Sequence, residues 1–107
     1  MTNSYTTSKT FDGNNEDVRA ALRYAIRRIA SRNVIWGDRT VTFNLAPSFL
    51  LSWGEKVQIQ IDSDTTVEIS SKCSAFFQLH DGGKNESNIV TILEWMDEYY
   101  ELWKNRN

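Results

Sequence analysis

One cysteine, one histidine and one proline in 107 residues remove several chemistries at the outset. Cys73 alone cannot form an intrachain disulfide, and a cysteine-built zinc site needs more thiols than this chain supplies. A lone thiol fits a reducing compartment. His80 lies seven residues beyond Cys73, a spacing that matches no metal-ligand pattern, so neither a metal nor a cofactor is expected. Long apolar runs are missing as well. No run exceeds three, Phe49-Leu50-Leu51 being one such, against the ~20 residues that a membrane-spanning helix needs. Met1-Thr2-Asn3-Ser4 shows no basic region leading into an apolar one, so a signal peptide is not expected. Charge of one sign is scarce: the net charge is -2 and the pI about 5.3, which gives no field to draw the chain to nucleic acid or an anionic membrane. A cytoplasmic protein follows, with no membrane partner and with nucleic acid disfavoured.

What is present suits a packed domain. At 40% apolar and 12% aromatic the chain can bury a core, and its length predicts a single domain over residues 1–107. Residues 5–11 mix β-branched and aromatic types and read as a strand with Tyr5, Thr7 and Phe11 on one face. Asp12-Gly13-Asn14 is turn chemistry, and Asn14 or Asn15 can cap the next helix, with Glu16 and Asp17 at its positive end. Across 15–31, Val18, Ala21, Leu22, Ala25, Ile26 and Ile29 recur at helical spacing, while Arg19, Arg23 and Arg27 form a second stripe.

Val34-Ile35-Trp36 and residues 41–45 flank Gly37-Asp38, which predicts an antiparallel hairpin with a type II′ turn. Pro47 should end the regular strand, and 49–53 is apolar without alternation. Strands follow at 55–62 and 65–73 around Asp62-Ser63-Asp64, with Val57, Ile59 and Ile61 and then Val67, Ile69, Ser71 and Cys73 facing inward; 75–79 fits no pattern. Over 86–104, Ile89, Ile92, Leu93, Met96, Tyr99, Tyr100 and Trp103 form one apolar stripe opposite Glu94, Asp97, Glu98 and Glu101, and Asn85 or Ser87 can cap it. The order β-α-β-β-β-β-α predicts an α+β fold: an antiparallel sheet with two helices packed on one face, a two-layer sandwich. The other sheet face is left open.

Several constellations carry chemistry. His80-Asp81 is the one place where a histidine meets a carboxylate, the minimum for a general base. Gly82-Gly83-Lys84-Asn85 enters a helix, where backbone N–H groups can hold an anion, although the spacing is not that of a P-loop. Arg19, Arg23 and Arg27 could face a nucleic-acid backbone or the acids of the second helix. Trp36, Trp53, Trp95 and Trp103 with Tyr99 and Tyr100 can line a cleft or an oligomer interface; Trp95 and Trp103 are expected in the core.

Ser52-Trp53-Gly54-Glu55, Val57, Ile59, Val67-Glu68-Ile69, Ser71, Cys73, Gln78, Asp81, Gly83-Lys84-Asn85 and Asn88 together resemble a family of small uncharacterised bacterial proteins, from which Gly82 departs. The resemblance supports the fold and implies no activity. The order of elements is also similar to helix-over-sheet ligand-binding and TATA-binding-like folds, an analogy of fold alone. The leading expectation is a non-enzymatic binding or interaction module that holds a protein partner, a second copy or a small ligand. It would do so at the sheet face or under the C-terminal helix, with Trp53, Gly54, Glu55, His80, Asp81, Lys84 and Asn85 as ligand or partner residues. The alternatives are a small enzyme built on His80 and Asp81, and nucleic-acid binding through the arginine stripe.

Overall fold

The computed structural model describes residues 4–29, 31–45, 54–62, 65–73 and 84–106. These form β1 (Ser4–Thr10), α1 (Asn15–Arg28), β2 (Ser31–Trp36), β3 (Thr40–Leu45), β4 (Glu55–Ile61), β5 (Thr66–Cys73) and α2 (Lys84–Arg106). Pro47, the 49–53 segment, Ser63-Asp64 and 75–79 lie outside the described residues.

The strands hydrogen-bond in the order β1-β5-β4-β3-β2, every neighbour antiparallel. β1 and β2 therefore occupy opposite edges, about 19 Å apart at ~4.8 Å per strand gap. α1 must carry the chain between them, and at ~1.5 Å per residue its 14 residues reach about 21 Å, enough to cross the whole sheet. β4 alternates without a break: Glu55, Val57, Ile59 and Ile61 are buried, while Lys56, Gln58 and Gln60 are exposed. Val41, Phe43 and Leu45 of β3 and Val67 and Ile69 of β5 bury the same face. Val18, Ala21, Leu22, Ala25 and Ile26 of α1 join Ile89, Ile92 and Met96 of α2 in one cluster with them. Both helices thus cover one face of an antiparallel sheet, the expected α+β arrangement. Each Val, Leu, Ile, Phe or Met side chain among them contributes about 1.5–3 kcal/mol on burial. Among the described residues no helix is long and apolar enough to cross a membrane.

Four details differ from the sequence expectation, each for a local reason. α1 stops at Arg28 and not at Ser31, because Ser31 pairs with Leu45 in the sheet and its hydroxyl donates to the Ile26 carbonyl at 2.9 Å. β2 carries a bulge between Arg32 and Ile35, with Asn33 at φ 57; Asn tolerates that left-handed conformation better than most residues. The extra residue turns Trp36 inward beside Val41 and leaves Ile35 on the outer face, 67% exposed. The hairpin turn is not type II′, since Gly37 lacks the positive φ that turn requires. Glycine is needed there for space: a Cβ would sit 2.5 Å from the Thr40 hydroxyl. Finally, α2 begins at Lys84, so neither Asn85 nor Ser87 is its cap. At 23 residues α2 runs about 34 Å, against about 24 Å for a strand of seven. Its last turns outrun the sheet, and Trp103 is 47% exposed instead of lying in the core.

Candidate functional site

The stretch singled out in the sequence closes on itself at the start of α2. Gly54 takes φ 101, open to glycine, and the chain then enters β4 with Glu55 on the inward face. Glu55 pairs with Leu45 on one side and Cys73 on the other. Ser71 occupies the next inward position, opposite Val57, and α2 brings Asn85 and Asn88 down upon both. All four side chains are buried, Glu55 completely so. Asn88 Nδ2 donates to Glu55 Oε1 at 2.9 Å and lies 3.4 Å from Ser71 Oγ, whose hydroxyl donates to Asn85 Oδ1 at 2.8 Å. One acceptor is left over: Glu55 Oε2 has no hydrogen-bond partner among the described residues. A buried polar group costs free energy unless it is paired, and the chain of bonds from Glu55 through Asn88 and Ser71 to Asn85 ties the start of α2 to β4 and β5.

Of the predicted ligand residues, Glu55 and Asn85 therefore meet through Asn88 and Ser71, with Gly54 beside them. Lys84 opens α2, while Trp53, His80 and Asp81 lie outside the described residues. Among the described residues no cluster of three or more His, Cys, Asp or Glu could hold a metal ion. The arginine stripe is divided in its use. Arg19 donates to the Asp38 carbonyl at 2.8 Å and lies over the Trp36 ring at 5.0 Å, fastening α1 to the β2–β3 turn. Arg28 reaches Glu98 at 3.4 Å and lies over the Tyr24 and Trp95 rings, while Arg23 and Arg27 are exposed. The Tyr24 hydroxyl also donates to Glu98, and that bond is the main reason its pKa is raised.

The opposite end of α2 holds a recess of about 450 Å³ between the β1–α1 turn and the last turns of the helix. Lys9, Thr10, Phe11 and Asp12 line it from the β1 side, and Asp97, Tyr100 and Trp103 from α2. Its floor is two rings: Phe11 and Tyr100 stack with centroids 5.5 Å apart and planes 11° from parallel. Phe11 is held from behind by Thr65, whose hydroxyl donates to the Phe11 carbonyl at 2.6 Å and whose carbonyl accepts from the Phe11 N–H at 3.2 Å. Those bonds keep Thr65 at φ 67, a conformation that β-branched residues avoid. Asp17 is fixed by a capping box, accepting from the Asn14 N–H at 2.9 Å while Asn14 accepts from the Asp17 N–H at 3.0 Å. Lys9 grips Asp97 at 2.8 Å.

The Tyr100 hydroxyl is buried in this setting without a hydrogen-bond partner. Burial pushes its pKa up to about 12, helped by the charges of Asp17 and Asp12, so at neutral pH it is a neutral phenol. Tyr100 and Trp103 are among the aromatics that the sequence offers for a cleft or an oligomer interface, with Trp103 also expected in the core. Phe11 reads only as a strand face, and the acids of the recess only as a turn, a helix start and a polar helix face. The available signal was length, since an apolar stripe longer than the strands beneath it leaves its last rings uncovered. The polar cluster had a different signal: Glu55, Ser71, Asn85 and Asn88 are polar residues in phase with buried ones. In comparisons with known proteins, no family model and no curated protein matches this chain.

Proposed function

We propose that this protein is a non-enzymatic binding module that takes a small ligand into the recess under the C-terminal half of α2. The observation that carries the reading is the recess itself: about 450 Å³, lined by the stacked rings of Phe11 and Tyr100. Binding sites for small molecules are typically concave, largely apolar and furnished with a few placed polar groups, at volumes of roughly 300–1,000 Å³. With its pKa pushed up to about 12, chiefly by burial, the Tyr100 phenol stays neutral and is no base. Glu55, Ser71, Asn85 and Asn88 then serve as the support that fixes α2 against the sheet, so that its far end can shape the recess.

The test is a fragment screen by protein-observed NMR. Hits are expected to move the Trp103 indole and the Phe11 and Tyr100 rings. Hits that instead perturb Asn85 and Asn88, with the recess signals silent, would locate the ligand at the other end and defeat the reading.

A further inference from the structure

The same recess carries charge beyond what its structural contacts use. Asp12, Asp17, Asp97 and Glu101 set four carboxylates against the one ammonium of Lys9. Asp17 is committed to the capping box and Asp97 to Lys9. Asp12 and Glu101 stand exposed at the rim with no ion-pair partner among the described residues. Below them lie the Phe11 and Tyr100 rings, and aromatic faces attract cations within ~6 Å of the ring centre. The fold already displays this preference with one of its own side chains. Lys9 Nζ sits 5.2 Å from the Phe11 ring centre, with the two Asp97 oxygens at 2.8 and 2.9 Å. An ammonium placed between a carboxylate and a ring is the recess in miniature.

We propose that the ligand of this recess is an organic cation: an amine or guanidinium head on an apolar stem. The head lies between Asp12 and Glu101, and the stem lies over Phe11, Tyr100 and Trp103. The inference rests on the recess being the ligand site, and it adds the chemical class. A free amine and a lysine or arginine side chain of a partner protein share that chemistry. Lys9 competes with either, because it holds Asp97 and covers part of the Phe11 ring.

The experiment titrates 2-phenylethylamine, its neutral counterpart 2-phenylethanol and a doubly capped arginine, following the Trp103 indole by NMR. The cation is expected to bind about tenfold more tightly than the alcohol. Asp12→Asn with Glu101→Gln should bring that ratio close to one while leaving the melting temperature unchanged. Lys9→Met should tighten the cation several-fold by releasing Asp97 and the Phe11 face. Tighter binding of capped arginine points to a partner's side chain, and tighter binding of phenylethylamine to a free amine. Equal affinity for amine and alcohol would overturn the cation while leaving the recess as a site. No movement of Trp103 with any probe would remove the site and the cation together.

Discussion

At its first two turns α2 presses Asn88 onto buried Glu55 and Asn85 onto Ser71; at its last two it stacks Tyr100 on Phe11 beside an open recess. The two ends share a helix and a sheet face but differ in how their polar atoms are satisfied. At the first end the donors run Asn88 to Glu55 and Ser71 to Asn85, within the chain and away from water. At the other, Asp12 and Glu101 face solvent, and Tyr100 buries a hydroxyl that nothing answers. The bonded atoms of the first end specify one packing, although Glu55 Oε2 is left unanswered there too. What sets the second end apart is the open recess beside its exposed acids, which has capacity for something else. The first end reads as the anchor of the fold and the second as its working surface.

The sharpest way to break this contrast is to attack the anchor. Asn88→Leu strips Glu55 of its hydrogen-bond donor and leaves a fully buried carboxylate unpaired, at a cost of about 3 kcal/mol. For a domain of this size that corresponds to a fall of roughly 10–20 °C in Tm. Adding Glu55→Leu should restore most of the loss, because an apolar pair leaves no charge stranded. Thermal melts of the two single variants and the double variant check this. Additive losses would show that Glu55 and Asn88 are not one unit.

The sequence carried the sheet and both helices because the relevant patterns are local. Val57, Ile59 and Ile61 alternate at strand period, and Val18 to Ile26 recur at helix period, whatever they pack against. The pairing of Glu55 with Asn88 was half visible, since both are polar residues on buried phases. Which of them would meet depended on α2 landing beside β4 and β5, a tertiary fact. The bulge at Asn33 was not legible: it depends on the register with β3, and it alone reversed the faces of Ile35 and Trp36. A cleft lined by Tyr100 and Trp103 was among the sequence readings, but the part of Phe11 in it was hidden for a similar reason. Phe11 and Tyr100 are 89 residues apart and stack only because β1 lies beside β5 under α2.

A matched pair of hydroxyl deletions compares the ends directly. Ser71→Ala removes the donor to Asn85 and should cost about 1–2 kcal/mol in urea unfolding. Tyr100→Phe removes a hydroxyl that has no partner and should be neutral, or stabilising by up to ~1 kcal/mol. Equal losses would erase the distinction between anchor and working surface.

Alkaline pH tests the recess without altering the anchor. The fold holds the Tyr100 proton to about pH 12, against 10.0 for the free phenol. Between those values the unfolded chain has released a proton that the folded chain keeps, so unfolding becomes more favourable as pH rises. The contribution is whole below pH 10 and disappears as pH climbs through 10 to 12. Stability measured at stepped pH should fall more steeply across that window in the parent chain than in Tyr100→Phe. Parallel curves would place the Tyr100 hydroxyl in water.

The smallest effect is expected where the recess looks most tightly bonded. Lys9 and Asp97 make two short contacts, 2.8 and 2.9 Å, yet their side chains are 40% and 54% exposed. In water such a pair gains little, because solvent screens it and two long side chains must be held still. Asp97→Asn should therefore change unfolding free energy by no more than ~0.5 kcal/mol, and that remainder should vanish in high salt. The same geometry around a buried pair would weigh several times more, as at Glu55, where one donor anchors the helix. A loss above ~1.5 kcal/mol on Asp97→Asn would mean that the Lys9 bridge holds α2 down as Asn88 does. Lys9 would then be part of the anchor and not a side chain that a competing cation can displace.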